Sequence, residues 1–343
     1  MAQDVIHAVC RGVLQSDSAS KDISILWHAG EPLVVPPNFY RTAFEILERA
    51  RPACTKLTHK LQTNGMLLTR EWCQLFKEFG VVVGVSIDGP AHIHDLHRRT
   101  RGGEGTFSKV MAGIDLLREF EIPFNTIAVL SKQSLESPGE IFQFFESLRP
   151  ATVMFNVEEI EGINRQSSLN FEAAQERFSS FFKTYLDLMH LHNSTQRLRE
   201  IHGMLEGILQ NDGVLNDNHL TRPFACVSID RKGNLSTFSP ELLGVRHHTY
   251  GNFIFGNILH SSLPEMARSR HFRTVWADIE RGVQKCRATC EYFPVCGGGS
   301  PSNKLAENDD LTSTETLYCR LTVKALTDLI LADLGGREHH RLS

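Results

Sequence analysis

Hydrophobic and polar positions alternate with two different periods along the first 157 residues. Five short runs rich in β-branched residues predict strands, and four longer amphipathic stretches between them predict helices. The predicted strands are residues 23–28, 56–62, 81–87, 124–130 and 152–157. The predicted helices are residues 38–49, 69–79, 106–120 and 137–148. Repeated β-α units indicate an α/β fold with a parallel sheet, either open and doubly wound or a partial β/α barrel.

The pattern changes after residue 160. Apolar residues at helical spacing over residues 171–190 and 194–210 predict two core-facing helices. Short extended pieces follow, and turn pairs such as Lys232-Gly233 between them predict hairpins. These pieces cover residues 225–230, 234–238 and 252–257. We predict three parts, namely a β/α part over residues 1–160, a helical bridge over residues 161–215 and a small domain over residues 216–343.

Composition excludes several classes of protein. The 36 basic and 40 acidic residues among 343 leave a net charge of -4, which disfavours nucleic-acid binding by bulk charge. No apolar run approaches the roughly 20 residues that span a bilayer. The first 20 residues lack the apolar core of a secretion signal, so the cytoplasm is the predicted location. In that compartment the eight cysteines are expected to be thiols or metal ligands rather than disulfides.

Polar residues and glycines follow the predicted strands at their carboxyl ends, where parallel sheets bind ligands. They supply acceptors and hydroxyls suited to an amine, a carboxylate and a ribose. They are Gly30, Glu31 and Pro32 after the first strand, Thr63 and Asn64 after the second, and Ser86 and Asp88 at the third. Taken singly, each loop is also consistent with ordinary turn chemistry. Glu158 and Glu159 end the fifth strand, and they are the positions we would mutate first.

The segments at residues 27–33, 62–65 and 85–90 resemble the barrel of radical S-adenosylmethionine (SAM) enzymes. The resemblance is strongest to the peptide- and protein-modifying branch with a C-terminal SPASM domain. It implies a partial (β/α)6 barrel that lacks its first strand. It also implies that Gly30, Glu31 and Pro32 meet the SAM amino group, that Ser86 and Asp88 line the ribose and carboxylate side, and that Thr63 and Asn64 are further contacts.

Two positions nearby bear on this resemblance. Ala29 replaces the first glycine of the family's Gly-Gly-Glu-Pro. Arg98 matches the arginine of a His-Asp-x-x-Arg motif. We expect the Arg98 side chain to bind Asp88 or the cofactor carboxylate. His92, His94 and His97 are expected to be loop histidines rather than metal ligands, because their spacing creates no regular face. The His247-His248 pair is expected on the surface.

Four of the eight cysteines form the pattern Cys286-x3-Cys290-x5-Cys296-x22-Cys319. Thiolates repel one another unless a cation binds them, so the cluster indicates zinc or iron–sulfur. The gaps of five and twenty-two residues fit zinc less well, and the glycines at 297–299 can aim N–H groups at sulfur.

The segment also resembles the end of a SPASM domain. That resemblance implies one auxiliary [4Fe–4S] cluster on these four cysteines. Ser300 and Phe238 occupy positions that are cysteines in the family. We expect the other cysteines, Cys10, Cys54, Cys73 and Cys226, to be buried thiols.

The resemblance also exposes a missing motif. Enzymes of this family hold the cluster that cleaves SAM in a Cys-x3-Cys-x2-Cys loop, and none occurs among these 343 residues. The first strand and that loop would fall before Met1. The chain is expected to be either a shortened enzyme or a degenerate relative, and unable as printed to cleave SAM. The second [4Fe–4S] cluster is expected only in an N-terminally complete form.

The function implied by the resemblance is maturation of a ribosomally made precursor peptide. The reaction would be a side-chain cross-link or C–H functionalisation, and residues 238–242 and 296–304 are most similar to maturases of glycine-rich peptides. The implied partners are the precursor peptide and an electron donor such as flavodoxin or ferredoxin. The alternative is a non-catalytic peptide-binding scaffold whose four cysteines hold a structural metal. An in-frame Cys-x3-Cys-x2-Cys encoded upstream of Met1 would favour the enzyme.

Overall fold

The computed structural model describes residues 1–16, 19–161, 164–209 and 218–341, which fall into two compact units. The sheet unit comprises Leu14–Val157 and Ser180–Glu200. The cysteine unit comprises Met1–Val13, Glu158–Ser179 and Ile201–Ser343. This grouping differs from the predicted three-part division, whose boundary at residues 215 and 216 lies outside the described residues.

The α-helices, in chain order, are α1 (Gln3–Val9), α2 (Pro37–Ala50), α3 (Arg70–Phe79), α4 (Ala91–His97), α5 (Phe107–Glu119), α6 (Pro138–Leu148), α7 (Ala174–Leu191), α8 (Arg199–Leu209), α9 (Leu263–Arg268), α10 (Arg270–Thr289), α11 (Phe293–Cys296), α12 (Pro301–Asn308) and α13 (Leu326–Arg341). Two π-helical segments, Cys10–Leu14 and Cys319–Ala325, adjoin α1 and α13. None of the helices within the described ranges is long and apolar enough to cross a bilayer.

The sheet unit contains five parallel strands. They are β1 (Asp22–Trp27), β2 (Lys56–Thr63), β3 (Val82–Ser86), β4 (Phe124–Leu130) and β5 (Thr152–Val157), and they lie side by side in chain order. A doubly wound sheet reverses direction at a switch point, whereas a barrel adds strands in one direction. The observed order therefore selects the partial barrel from the two architectures that the sequence left open.

Apolar faces of the helices pack on this sheet. In α2 the buried side chains are Tyr40, Ala43, Phe44 and Leu47, which share one helical face. Helix α3 is capped at its N-terminus by Thr69, whose side chain accepts a hydrogen bond from the Trp72 backbone N–H, and at its C-terminus by Gly80 with φ 60°. All five predicted strands and all four predicted helices of this part are confirmed.

One α-helix among the described residues of the sheet unit was not predicted. Helix α4 covers His92, His94 and His97, which the sequence analysis assigned to a loop. The helix has only seven residues, and only Ile93 and His94 in it are buried, so it shows no apolar periodicity. It starts directly after Pro90, whose extended backbone ends the preceding turn.

The cysteine unit has its own apolar core and a three-stranded antiparallel sheet. The strands β6 (Val227–Ile229), β7 (Asn234–Thr237) and β10 (Gly256–Asn257) form that sheet, and β8 (Arg246–His247) pairs with β9 (Gly251–Asn252). The predicted hairpin at Lys232-Gly233 is confirmed, with Gly233 at φ 84°. The extended piece predicted at residues 252–257 is two separate strands, because the Ile254 N–H bonds the Asn252 side chain instead of a partner strand.

The first helix belongs to this core. Val5 and Ala8 of α1 pack among buried residues that include Phe253, Phe272 and Leu305. Residues 1–160 were predicted to form one β/α part, because nothing local in a seven-residue helix specifies its tertiary partner. Helices α7 and α8 confirm the two predicted in the bridge, although residue 210 lies outside the described ranges.

Candidate active site

Glu31 joins the loops that follow β1 and β2. Its Oε1 accepts hydrogen bonds from the Leu33 backbone N–H at 3.0 Å and from Thr63 Oγ1 at 2.6 Å, and its Oε2 accepts one from the Asn64 backbone N–H at 2.7 Å. A carboxylate offers about four acceptor sites, so one remains on Oε2 for a further donor. The structure thus brings Glu31, Thr63 and Asn64 together as the strand-end pattern predicted.

The backbone before Glu31 is left-handed at two successive residues. Ala29 has φ 73° and Gly30 has φ 69°. A Cβ built on Gly30 would meet no atom within 4 Å, so the loop leaves open space there. Pro32 is buried, begins a short 3-10 turn, and its carbonyl accepts a hydrogen bond from the Tyr40 hydroxyl at 3.1 Å.

Ser86 ends β3 and is held by a neighbour on β2. The Gln62 side-chain amide donates to Ser86 Oγ at 3.0 Å. The Gln62 side chain lies across Gly84, where a Cβ would come within 2.0 Å of Gln62 Oε1. Glycine at position 84 therefore permits the contact that orients the Ser86 hydroxyl.

Asp88 is paired with Arg98. Arg98 Nε donates to Asp88 Oδ2 at 2.6 Å and its Nη2 donates to Oδ1 at 2.9 Å, while the Val129 backbone N–H also donates to Oδ1 at 2.9 Å. Asp88 is only 6% exposed. The pairing of Arg98 with Asp88 is one of the two partners that the His-Asp-x-x-Arg motif led us to expect, and the bond to the β4 backbone was not predicted. Contact between Asp88 and a cofactor stays a prediction.

His94 supports the same loop. It is fully buried, its Nδ1 accepts a hydrogen bond from the Asp88 backbone N–H at 3.3 Å, and its Nε2 lies 3.0 Å from Thr106 Oγ1. Because Thr106 Oγ1 donates to the Arg98 carbonyl, we assign the imidazole proton to Nε2. Burial lowers the pKa of His94, which favours this neutral form.

Two histidines of the cysteine unit, His247 and His248, lie close to the Asp309 carboxylate. Among the described His, Cys, Asp and Glu residues, only His247, His248 and Asp309 have three possible ligand atoms that all lie within 4.8 Å of one another. The Thr249 N–H donates to His247 Nδ1, so His247 Nε2 carries the proton that it donates to Asp309 Oδ1 at 2.8 Å. That proton occupies the position that a metal would need. The expected surface location is wrong for His247, whose side chain is 8% exposed, and right for His248.

The four clustered cysteines come together in the cysteine unit. Cys286 lies near the end of α10, Cys290 caps it, Cys296 ends α11 and Cys319 starts a π-helical segment. No disulfide joins any of the eight cysteines. Burial, followed by the charge of Cys296, raises the pKa of Cys319 to about 12. Burial raises the pKa of Cys296, and the charges of Cys286 and Cys290 add to this increase. The thiols therefore lie close enough for their charges to interact, and four thiolates at this place would require a cation.

Backbone groups surround these sulfur atoms. The Gly298 N–H donates to Cys296 Sγ at 3.4 Å, and the three glycines at 297–299 all have positive φ. Cys286 Sγ lies 3.8 Å from the Gly298 carbonyl oxygen and 3.6 Å from Lys304 Nζ. Asn218 donates from its side-chain amide to the carbonyl oxygens of Cys296 and Gly299, which holds the turn. The predicted wrapping of the glycine run is present.

The remaining cysteines divide by exposure. Cys10 and Cys73 are buried and Cys226 is half-buried, and burial raises the pKa of all three thiols. The prediction of a buried thiol is wrong for Cys54, which is exposed. It lies in the turn before β2, next to Ala53, which is exposed as well.

Glu159 is a buried carboxyl group in the cysteine unit. Its Oε2 accepts a hydrogen bond from Asn303 Nδ2 at 2.6 Å, although the two residues are 144 positions apart. Burial, with the charges of Glu161, Glu241 and Glu307, raises the pKa of Glu159 to about 7. Such a group can exchange a proton near neutral pH. Sequence reasoning singled out Glu159 but had no signal for Asn303.

We expect Glu159→Gln to stabilise the protein above pH 7. The native state binds a proton on Glu159 that the unfolded state releases between about pH 4.5 and 7, so the free energy of unfolding falls as pH rises through this window. The glutamine removes this dependence, and we expect a gain of about 3 kcal/mol at pH 8 and none at pH 4. Urea unfolding of both proteins at several pH values measures this difference in the free energy of unfolding. Asn303→Ala, which removes a bond that lowers this pKa, should move the window to higher pH. Identical pH profiles for wild type and Glu159→Gln would contradict the expectation.

Comparison with known proteins agrees with this fold. The family model described as Radical SAM superfamily matches residues 16–145. Over 335 residues the chain is 40% identical to the uncharacterized protein sll1766 of Synechocystis sp., covering 96% of this chain and 84% of that protein. The chain belongs to the radical SAM superfamily.

Two further similarities bear on the branch of the superfamily. The serine-type anaerobic sulfatase-maturating enzyme of Bacteroides thetaiotaomicron is 28% identical over 302 residues, 83% of this chain and 70% of that enzyme. The structure of native anSMEcpe with bound AdoMet and Kp18Cys peptide covers 99% of this chain and 91% of that chain, with TM-score 0.74 and 20% identity. At that identity the structural likeness shows the shared fold.

Proposed function

We propose that this chain is a radical SAM maturase that modifies a side chain of a precursor peptide, and that its four clustered cysteines hold an auxiliary [4Fe–4S] cluster. The observation that carries the proposal is that the Gly298 backbone contacts the sulfur atoms of both Cys286 and Cys296, while Cys290 and Cys319 lie in the same unit. In the same chain, Glu31 joins the ends of two parallel strands through its hydrogen bonds to Thr63 and Asn64. The relatives named above, one of them solved with AdoMet and a peptide, support a peptide or protein substrate.

The strand-end loops fit SAM by the chemistry of their donors and acceptors. Glu31 keeps one acceptor site for the SAM ammonium, and the open space beside Gly30 allows close approach of the ligand. The hydroxyl of Ser86, oriented by Gln62, is suited to the ribose. Pro32, Thr63 and Asn64 hold Glu31 in place or shape its loop, and Asp88 supports the next loop through Arg98.

The cysteines fit an iron–sulfur cluster better than zinc. Zn–S bonds of about 2.3 Å place tetrahedral thiolates about 3.8 Å apart. Among the described residues, no three of these sulfur atoms lie within 4.8 Å of one another. A cube of iron and sulfide separates its thiolate ligands further, and N–H donors such as that of Gly298 stabilise sulfur ligands. When bound, this group would supply one-electron chemistry.

The 343 residues printed here contain no Cys-x3-Cys-x2-Cys, so we propose that they do not generate the SAM-derived radical by themselves. We expect no 5′-deoxyadenosine when the anaerobically purified chain is incubated with SAM and dithionite. A form that carries the motif in frame before Met1 should produce it, and should remove hydrogen from a precursor peptide in the presence of flavodoxin or ferredoxin. Chromatography measures the 5′-deoxyadenosine, and peptide mass spectrometry measures the loss of hydrogen from the peptide. The second [4Fe–4S] cluster belongs to that form.

The matched control replaces the three cysteines of the added motif by alanine. Production of 5′-deoxyadenosine by the printed chain would overturn the proposed role of the motif. A motif-bearing form that binds peptide but never cleaves SAM would favour the alternative, a non-catalytic scaffold with a structural metal.

A further inference from the structure

Lys304 is a lysine buried beside the four-cysteine centre. It lies on α12 and is only 3% exposed. Its Nζ lies 3.6 Å from Cys286 Sγ. Lysine is almost never fully buried unless its charge is paired, so this position requires an explanation.

Glycine at position 282 makes room for the Lys304 ammonium. A Cβ at position 282 on α10 would lie 3.1 Å from Lys304 Nζ and 2.4 Å from the Leu311 carbonyl oxygen. The ammonium is thus enclosed between α10, α12 and the Leu311 segment. This close packing holds the ammonium beside Cys286.

The Lys304 charge faces sulfur rather than a carboxylate. Within the part of the chain that the structure describes, no carboxylate oxygen lies within the 4.0 Å of an ion pair with Lys304, and its hydrogen bond goes to Cys286 Sγ. Lys324 differs, because it is ion-paired with Glu315. Lys285 differs also, because it is exposed and donates to Thr312 Oγ1.

We propose that Lys304 sets the reduction potential of the four-cysteine centre by placing one buried positive charge against Cys286. The inference rests on the proposed function, since it presumes an iron–sulfur cluster at this site. Uptake of one electron from a reductant makes the cluster and its thiolates more negative by one unit. A fixed cation nearby, poorly screened because it is buried, stabilises that reduced state. Lys304 acts through Cys286 and is a positioning residue of the centre.

The test measures the midpoint potential of the iron-loaded protein by dithionite titration with electron paramagnetic resonance. We expect Lys304→Met to make reduction at least tenfold less favourable, which lowers the midpoint potential by about 59 mV for one electron. Lys304→Arg, which keeps the charge, should stay close to wild type. Lys285→Met removes an equal but exposed charge one residue from Cys286 and should change the potential little.

A fully loaded Lys304→Met protein with the wild-type potential would overturn the inference. If Lys304→Met fails to retain iron, Lys304→Gln is measured in its place with the same expectation. If both neutral variants lose iron, retention of iron by Lys304→Arg supports a requirement for the positive charge. Loss of iron by Lys304→Arg as well overturns the inference in favour of a purely steric role. Zinc in the wild-type protein would instead refute the proposed cluster, and the inference with it, before any variant is compared.

Discussion

Replacement of Cys296 by alanine should remove the metal from the four-cysteine centre and unfold much of its surroundings. We expect about four irons per wild-type chain, broad absorbance at about 400 nm, and loss of both in the variant. Cys296 is the sulfur that receives the Gly298 N–H, and its turn is held by Asn218. The free energy of metal binding is part of the folding free energy of a small cysteine-rich unit, so the thermal midpoint should fall as well. Iron assay and circular dichroism of anaerobic preparations measure these effects.

The control for this prediction is Cys54→Ala. Cys54 is exposed and belongs to the sheet unit, so the substitution should leave iron content and thermal stability unchanged. A colourless wild-type protein that holds one zinc after anaerobic reconstitution would contradict the assignment and favour the scaffold. Equal iron loss in both variants would indicate general damage to the protein rather than loss of a ligand.

The sheet and its helices were predictable from sequence because each signal was long and repeated. Residues 124–130 alternate between buried and half-buried positions along β4, and the strand was predicted with its observed ends. Helix α4 was missed because seven residues after a proline leave no periodicity to detect. The placement of α1 was missed because Val5 and Ala8 pack against residues more than 200 positions away, such as Phe253 and Phe272.

The candidate site was predictable wherever the chemistry lay in a local motif. The cysteine spacing and the Gly30-Glu31-Pro32 loop are of this kind, and the Glu31 bonds to Thr63 and Asn64 follow from adjacent parallel strand ends. The location of Lys304 was not predictable, because an isolated lysine in a sequence is by default a surface residue. Only its three-dimensional distance to Cys286 distinguishes it.

Asp88 shows how a motif residue can have a role that the motif does not specify. The resemblance implied a cofactor contact, which stays a prediction. The structure shows both carboxylate oxygens accepting hydrogen bonds from Arg98 and the Val129 backbone. The Val129 partner is 41 positions away and belongs to the neighbouring strand. Backbone donors of this kind carry no side-chain signature, so sequence reasoning had no means of finding it.

We therefore expect Arg98→Met to destabilise the protein by about 3 kcal/mol, because it leaves a buried carboxylate without its cation. The Asp88 side chain is 8% exposed and that of Arg98 is 27% exposed, which places the expected cost near the lower end for buried pairs. The urea midpoint measures the cost, and a double-mutant cycle with Asp88→Asn isolates the pair. Arg99→Met is the matched control, since Arg99 is next in the chain, exposed, and donates to the Asp95 carbonyl. The control should cost less than about 0.5 kcal/mol. Equal costs for the two arginines would mean that Asp88 is not held by charge pairing, and its carboxylate would then be available to the cofactor as the family resemblance implied.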